Sequence, residues 1–270
     1  MTVCQSYDDD HLHLHYAKGP SLESGREFHT FHEILYIPEI DGRLITEGGE
    51  FALADGCLLL IPRERFHHLI LHHPEGYTRF CFHFEQLGGL EKITEACMRE
   101  VCVIEKPGER IVSLFGRLPD ILAEAEDDKR ILIQAVFSEI LVYLKKDLNR
   151  RIEVRPYGSD SAVCRALTFI GRNYRGPIDL HMIADSVGMS PSSLSHMFKT
   201  ALNTSVYQYI TNKRMITAQR FLSAGVSPTA TADACGYSDY TVFYRAYKKY
   251  YGVSPAQAKR KGTLPDSGKD

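Results

Sequence analysis

The last hundred residues of this chain contain a repeat that limits what they can fold into. The pattern Ala184-x3-Gly188 recurs 48 positions later as Ala232-x3-Gly236, and an apolar stripe with helical spacing follows each copy. A small residue lets two helices cross closely, and a glycine supplies the positive φ of a tight turn between them. The repeat therefore predicts two helix-turn-helix units.

The stretch between the two copies, 205–224, predicts one long helix. Ser205 and Gln208 have the spacing of a capping box at its start, and Gly225 can end it. About 20 helical residues span roughly 30 Å. That length is close to one turn of B-DNA, so recognition helices at its two ends would reach successive major grooves on one face.

Charge separates the two parts of the chain. Residues 156–270 contain 14 Lys and Arg against 7 Asp, and residues 1–155 contain 18 Lys and Arg against 27 Asp and Glu. These counts give net charges of +7 and −9, and such a split indicates two regions with different partners. A hydrophobic content of 44% and a charged content of 24% are typical of a globular protein and not of a disordered one.

The pattern of apolar residues divides the chain into segments. Short apolar runs between 25 and 85, separated by turn signals, predict an antiparallel sandwich or barrel of roughly six to eight strands. Two stripes with helical periodicity follow between 109 and 148. The predicted segments are a strand-rich domain over 1–150, a linker over 151–160, an all-helical domain over 161–262 and a disordered tail over 263–270.

The two helices predicted between 109 and 148 have two interpretations. They either pack on the strands as part of one domain or form the surface of a homodimer. The second interpretation arises because the apolar stripe from Ile133 to Leu148 is long and nearly heptad-spaced. The sequence leaves both open.

The sequence contains no sign of a membrane or secreted protein. Its longest clean apolar run is Cys57–Ile61, far shorter than a membrane span, and its acidic, His-rich start does not resemble a secretory signal. The seven Cys include no CxxC pair, which argues against a disulfide scaffold or a structural zinc site. We therefore expect a cytoplasmic protein with reduced thiols and no membrane partner.

On these features, residues 161–262 resemble the DNA-binding domain of AraC/XylS-type transcriptional regulators. The matching positions are Ile178-Asp179-Leu180, Ala184, Gly188-Met189-Ser190, Leu194, Phe198-Lys199, Tyr209-Ile210, Arg214, Ala218, Leu222, Gly236-Tyr237-Ser238-Asp239, Phe243, Arg245, Tyr247-Lys248-Lys249 and Gly252-Val253-Ser254-Pro255. Asn203 stands where the family usually has Gly, and because Asn tolerates the left-handed conformation we expect that turn to survive. Pro228 and Thr231 replace larger aliphatic residues, so we expect a looser or later-starting helix there.

The resemblance also implies which residues meet DNA. In the first recognition helix the family's base contacts fall on Ser192, Ser195 and His196. In the second they fall on Tyr240, Thr241, Tyr244 and Arg245. Arg245 can pair with guanine O6 and N7, and Thr241 can meet a thymine methyl group. Lys199 and Lys248 are better placed for phosphates, which position the protein without specifying sequence.

The strand-rich domain resembles the cupin barrel that many members of this family carry. His29-x3-Glu33 matches the end of the first cupin motif, and Gly56-x5-Pro62-x4-His67 matches the second. The set Glu27, His29, Glu33 and His67 predicts an effector pocket. As an alternative, His29, Glu33 and His67 would hold a divalent metal, and a packed barrel without a ligand is the third possibility.

The resemblance implies a transcriptional regulator that binds double-stranded DNA, is not an enzyme and needs no cofactor. A small-molecule effector, such as a sugar or another metabolite, would bind in the barrel. A homodimer through 109–148 is expected, with RNA polymerase as a partner if the protein is an activator. A metal-dependent cupin enzyme, or a regulator controlled by a partner protein, remains the competing interpretation.

Overall fold

The computed structural model describes residues 3–19, 28–73, 77–85, 87–149 and 161–261. Contacts divide the chain into two units, one containing Met1–Glu27 and Phe31–Tyr157 and the other containing Phe28–Thr30 and Gly158–Asp270. The predicted linker, 151–160, and the predicted tail, 263–270, lie outside the described residues. An antiparallel sheet domain followed by a helical domain confirms the predicted mixture of β and α structure at this level.

The described part of the first unit contains nine strands in two antiparallel sheets. The strands are β1 (Val3–Asp8), β2 (Leu12–Lys18), β3 (His32–Ile37), β4 (Gly42–Thr46), β5 (Gly49–Leu53), β6 (Cys57–Ile61), β7 (His67–Leu71), β8 (Thr78–Phe84) and β9 (Cys102–Ile104). One sheet has six strands in the order β1-β2-β8-β3-β6-β9, and the other has three in the order β5-β4-β7. The sequence did not predict β1, β2 or β9 as strands.

The six-stranded sheet is buried on both faces, and the pleat of its strands decides what each side chain meets. On β8, Phe80, Phe82 and Phe84 belong to a core shared with helices. Cys81 points to the opposite face, because successive side chains of a strand alternate. We call the core on that face the intersheet core. It comprises Leu35, Ile37, Leu44, Phe51, Leu53, Cys57, Leu59, Ile61, Tyr77, Cys81 and Val103.

In the described part of the first unit, three helices share a core with the six-stranded sheet: α1 (Glu91–Cys97), α2 (Glu109–Ile121) and α3 (Glu126–Asn149). Residues of the predicted stripe on α3 are buried in the core on the outer face of this sheet. The ring of Phe137, for example, lies 4.9 Å from that of Phe82 and 4.8 Å from that of Phe84 between centroids. The stripe therefore packs on the strands of its own unit, which was the first of the two interpretations of this helix.

The second unit is helical. Its helices are α4 (Ala162–Asn173), α5 (Leu180–Val187), α6 (Pro191–Leu202), α7 (Val206–Ser223), α8 (Pro228–Ala234), α9 (Tyr240–Tyr251) and α10 (Pro255–Lys261). α7 lies between the two copies of the repeat. It shares a buried core with α8 and α9 that includes Met215, Ala218, Leu222, Ala232, Phe243 and Tyr247.

The turns of the repeat have the predicted left-handed geometry. Gly188 and Gly236 have φ angles of 70° and 79°. A Cβ at Gly236 would also lie 2.7 Å from the carbonyl oxygen of Arg175, so this position needs glycine for space as well as for φ. Asn203 ends α6 with a φ of 50°, as expected for a residue that tolerates this conformation.

The caps of α7 and α8 refine the sequence predictions. The Ser205 hydroxyl accepts a hydrogen bond from the Gln208 backbone N–H at 3.1 Å, but the Gln208 side chain donates to Asn212 instead, so only half of the capping box forms. α8 begins at Pro228, capped by Ser227, so the later start does not occur. Proline is favourable in the first turn because its missing N–H would have no partner within the helix.

We expect Thr231→Val to stabilise the second unit. Thr231 is fully buried in α8, and its hydroxyl oxygen has no hydrogen-bond partner among the described residues. Valine keeps the shape and removes the desolvated hydroxyl, so the free energy of unfolding should rise by about 1 kcal/mol. Urea unfolding followed by circular dichroism measures this, and Thr231→Ala, which leaves a cavity, should be less stable than Thr231→Val. A less stable valine variant would contradict the expectation.

Candidate functional site

Polar side chains gather at one end of the intersheet core, where Glu33, Thr46 and His67 are buried and His83 is half-buried. Glu33 lies near the start of β3, Thr46 at the end of β4, His67 at the start of β7 and His83 near the end of β8. Strand pairing places Glu33 opposite His83 and Thr46 opposite His67. Cys81 lies two residues before His83 and therefore points to the same face of β8. We call these five residues the polar cluster.

The Glu33 carboxylate is the centre of the polar cluster. Its Oε1 accepts a hydrogen bond from the Cys81 thiol at 3.0 Å and lies 3.6 Å from Nε2 of His83. The other oxygen, Oε2, lies 3.3 Å from Nε2 of His67. Cys81 Sγ is itself 3.0 Å from His83 Nε2. One carboxylate thus joins side chains from both sheets, because His67 belongs to the three-stranded sheet and the others to the six-stranded one.

Burial controls the protonation of the Cys81 thiol. It raises the pKa of Cys81 well above the usual value, and the nearby negative charge of Glu33 and the hydrogen bond to it raise the pKa further. The thiol is therefore neutral at physiological pH and acts as a hydrogen-bond donor to the carboxylate. A neutral, buried thiol is a poor nucleophile, which argues against covalent chemistry at Cys81 in this state.

Arg79 extends the same face of β8 beyond the polar cluster. It lies two residues before Cys81, and its guanidinium carbon is 5.2 Å from the centroid of the Tyr77 ring. Its Nη1 is buried and has no hydrogen-bond partner in the part of the chain that the structure describes. A buried guanidinium donor of this kind is costly unless an acceptor meets it, so this face can accept a polar molecule.

Two of the residues predicted for the effector pocket, Glu33 and His67, meet in the polar cluster. Glu27 lies outside the described residues. His29 belongs to Phe28–Thr30, which groups with the second unit, so its place in the pocket stays a prediction.

Sequence reasoning missed Cys81, His83 and Arg79. The alternation of aromatic and polar residues from Arg79 to Phe84 indicates that these three share one face of a strand. The sequence does not show that this strand lies beside β3. Only the pairing of Glu33 with His83 makes them neighbours.

The predicted DNA-contacting residues lie on α6 and α9. The structure leaves Ser192, Ser195, His196, Lys199, Tyr240, Thr241, Arg245 and Lys248 exposed and Tyr244 half-buried. The apolar residues of the same helices, such as Leu194, Phe198, Phe243 and Tyr247, are fully buried. Each helix therefore presents one polar face to solvent while the other face packs inside the unit.

Some of these exposed groups have partners within the chain. The Ser195 hydroxyl donates to the carbonyl oxygen of Pro191 at 2.9 Å, so it offers lone pairs rather than its proton to an outside ligand. Lys199 Nζ donates to the carbonyl of Asn203 at 3.2 Å. Near the start of α9, Asp239 accepts a hydrogen bond from the Thr241 backbone N–H at 2.6 Å, which fixes the first turn of that helix.

Val242 is an additional exposed residue of α9 that the sequence prediction omitted. Its side chain is 48% exposed, and at 100° per residue it lies on the same side of the helix as Arg245. An exposed apolar side chain on such a face is suited to a thymine methyl group. The signal was present in the sequence, since the buried stripe of α9 excludes this position.

Family models match both units. A model described as an AraC-like ligand binding domain matches residues 11–141, and one described as a helix-turn-helix domain matches residues 183–261. The chain belongs to the AraC/XylS family. It is a DNA-binding transcriptional regulator with a ligand-binding domain. Its relatives include proteins named as operon regulatory proteins, in agreement with the expectation that it is not an enzyme.

Several named proteins and solved structures are similar to this AraC-family chain. It is 22% identical to the Msm operon regulatory protein of Streptococcus mutans over 91% of this chain and 87% of the relative. It is 27% identical to the Arabinose operon regulatory protein of Salmonella typhimurium over 80% and 79%. The C-terminal domain of AraT, a response regulator from Geobacillus stearothermophilus, matches 40% of this chain and 92% of that chain, with 29% identity and a TM-score of 0.37.

Among the described residues of this AraC-family protein, no helix combines enough length with enough apolar character to cross a bilayer.

The burial of Cys81 predicts a difference in thiol reactivity. In the native protein at neutral pH, iodoacetamide should label the exposed Cys4, and Cys81 should react at least about tenfold more slowly because it is buried and protonated. Peptide mass spectrometry over a time course measures both rates, and labelling in urea provides the unfolded control. Equal rates for the two thiols in the native protein would show that Cys81 is accessible.

Proposed function

We propose that this protein recognises specific DNA sites through two helix-turn-helix motifs, α5–α6 and α8–α9, and that a small molecule bound between the two sheets controls it. The observation that carries the DNA-binding half is the two-sided character of α6 and α9. Both helices follow a left-handed turn, bury an apolar stripe and expose the side chains that the family uses for bases. We further propose that α7 is the helix joining the motifs.

Length and charge support this assignment. The 18 residues of α7 correspond to about 27 Å of helix, somewhat less than the roughly 34 Å between successive major grooves on one face of B-DNA. Residues 156–270 contain 14 basic and 7 acidic residues, and this net positive charge attracts DNA phosphates.

The individual residues of α9 have different proposed roles. Arg245 is exposed, and its planar guanidinium can donate two parallel hydrogen bonds to a guanine. Lys248 lies nearer the C-terminal end of the helix, where its ammonium group can meet a phosphate. On α6, Ser192 and Ser195 are short, which favours contacts through water, while His196 is longer and can reach a base edge directly.

The effector half of the proposal rests on the inward face of β8 and on Glu33. We propose that the two sheets close into a cupin-like barrel whose interior accepts a polar metabolite. The buried Nη1 of Arg79 is a donor that such a molecule would satisfy, and the Glu33 carboxylate is an acceptor for its hydroxyl groups. A sugar has both kinds of group, and one relative is an arabinose operon regulator. Regulation requires that the effector bind two states of the protein unequally.

Assembly is a further part of the proposal. The Ile133–Leu144 residues of the α3 stripe are buried within the unit, so a homodimer through 109–148 would use the outer faces of α2 and α3. Ile131 is 60% exposed and Val112 is 37% exposed, and both lie on these helices. RNA polymerase would be a partner if the protein activates transcription.

Two variants of α9 test the DNA-binding half. Arg245→Ala should weaken binding to the specific site by roughly 1–3 kcal/mol and leave binding to random DNA nearly unchanged, because a base contact is lost. Lys248→Ala should weaken both equally and lower the slope of log K against log salt by about 1, because a phosphate contact is lost. Fluorescence anisotropy with the protein's own upstream region at several salt concentrations measures both. If Arg245→Ala keeps the ratio of specific to random binding, the Arg245 side chain does not read a base.

A ligand screen tests the effector half. Thermal shift against a panel of sugars and other metabolites should identify compounds that raise the melting temperature, since binding to the native state stabilises it. Arg79→Met removes the buried donor and keeps most of the side-chain length, so it should abolish that shift. Arg43→Met, a change on the outward face of β4, is the matched control and should keep it. A ligand that stabilises the Arg79→Met variant as much as the unchanged protein would contradict the proposed pocket.

A further inference from the structure

We propose that Glu33, Cys81 and His83 form a binding site for a divalent transition metal, with zinc as the best match. None of these three residues is among those proposed to contact DNA. The site lies within the interior that we propose for the effector, but the capacity to bind metal does not depend on that proposal or on regulation. Three features of the polar cluster support a metal site: the separations of its donor atoms, the chemistry of those donors and the strand pairing that positions them.

The three donor atoms have the separations of ligands around one ion. Glu33 Oε1, Cys81 Sγ and His83 Nε2 form a triangle with sides of 3.0, 3.0 and 3.6 Å. The circle through three such points has a radius of about 1.9 Å, so a point about 2.0–2.3 Å from all three atoms lies roughly 0.7–1.3 Å off their plane. Those are the bond lengths of zinc to oxygen, nitrogen and sulfur. An ion therefore fits with shifts of a few tenths of an ångström.

The donor types select for the metal. A thiolate, an imidazole and a carboxylate suit zinc and its neighbours in the first transition series, whereas magnesium and calcium prefer oxygen ligands throughout. Three protein ligands leave a position open for water or a small molecule. On binding, Cys81 would lose its proton to solvent, because only the thiolate is a good ligand.

The strands hold the three residues in place. Glu33 and His83 are directly paired between β3 and β8, and Cys81 pairs with Leu35 two positions along the same strands. His67 stands 3.3 Å from the other oxygen of Glu33, and its Nδ1 is 3.4 Å from the carbonyl oxygen of Arg65. Contacts of this kind orient a ligating carboxylate, and metal sites commonly depend on them.

The site differs from the alternative metal set that the cupin motifs suggest. That set combined His29, Glu33 and His67, none of which supplies a thiolate. The site proposed here shares only Glu33 with it and takes its other ligands from β8, which lies outside both motifs. The presence of a sulfur ligand makes the two sets experimentally distinguishable.

Cobalt titration of the purified full-length protein tests the proposal. The protein is reduced, stripped with a chelator and titrated with Co²⁺, whose bond to a thiolate produces a strong charge-transfer absorption in the near ultraviolet. We expect this band to saturate at one Co²⁺ per chain and to disappear on addition of Zn²⁺ but not of Mg²⁺. Cys81→Ser should abolish the band, and Glu33→Gln and His83→Gln should each weaken Co²⁺ binding at least about 100-fold.

The controls separate this site from other thiols. Cys4 is exposed and its Sγ lies 3.7 Å from Nε2 of His15, so Cys4→Ser is the matched control and should retain the band. Thermal unfolding without metal checks that each variant folds. If Cys81→Ser does not fold, Glu33→Gln and His83→Gln still test the site. The absence of a charge-transfer band in the unchanged protein, or its loss only with Cys4→Ser, would overturn the proposal. No DNA or effector is present, so this result is independent of the proposed regulatory function.

Discussion

The pleat of the six-stranded sheet is the constraint on which the first unit depends. Alternation along β8 commits Phe80, Phe82 and Phe84 to the core shared with α2 and α3. The same alternation commits Arg79, Cys81 and His83 to the opposite face. A shift of one residue in the pairing of β3 with β8 would exchange these two sets and leave polar groups against the helices. The sheet therefore fixes the hydrophobic core and the polar cluster together.

The intersheet core combines an apolar end with a polar one. Burial of Glu33 and His67 would be costly without partners. Their mutual contact and the bond from the Cys81 thiol offset that cost. The contact between Glu33 and His67 also links the two sheets. The groups that stabilise the polar end of the intersheet core are therefore also the groups that could bind a polar molecule or a metal.

The second unit depends on local geometry to a greater extent. Its turns require left-handed residues at Gly188, Asn203 and Gly236, and its helices begin at caps such as Ser190 and Asp239. These signals act over four or five residues, so the sequence predicted α5 to α9, including α7, the long helix between the two copies. It also predicted which faces of α6 and α9 remain exposed. The start of α8 was predicted less well, because Pro228 is compatible with a first turn.

The sequence by itself determined the helical unit, its internal repeat and the family to which the chain belongs, because those patterns are encoded by residues close together in the chain. It also indicated Glu33 and His67 as neighbours through the cupin motifs. Only the tertiary structure decided that Cys81 and His83 join Glu33, since the pairing of β3 with β8 brings together residues almost 50 positions apart. It also decided that the α3 stripe packs inward. An apolar stripe is equally suited to a sheet or to a second subunit, and only the packed core selects between them.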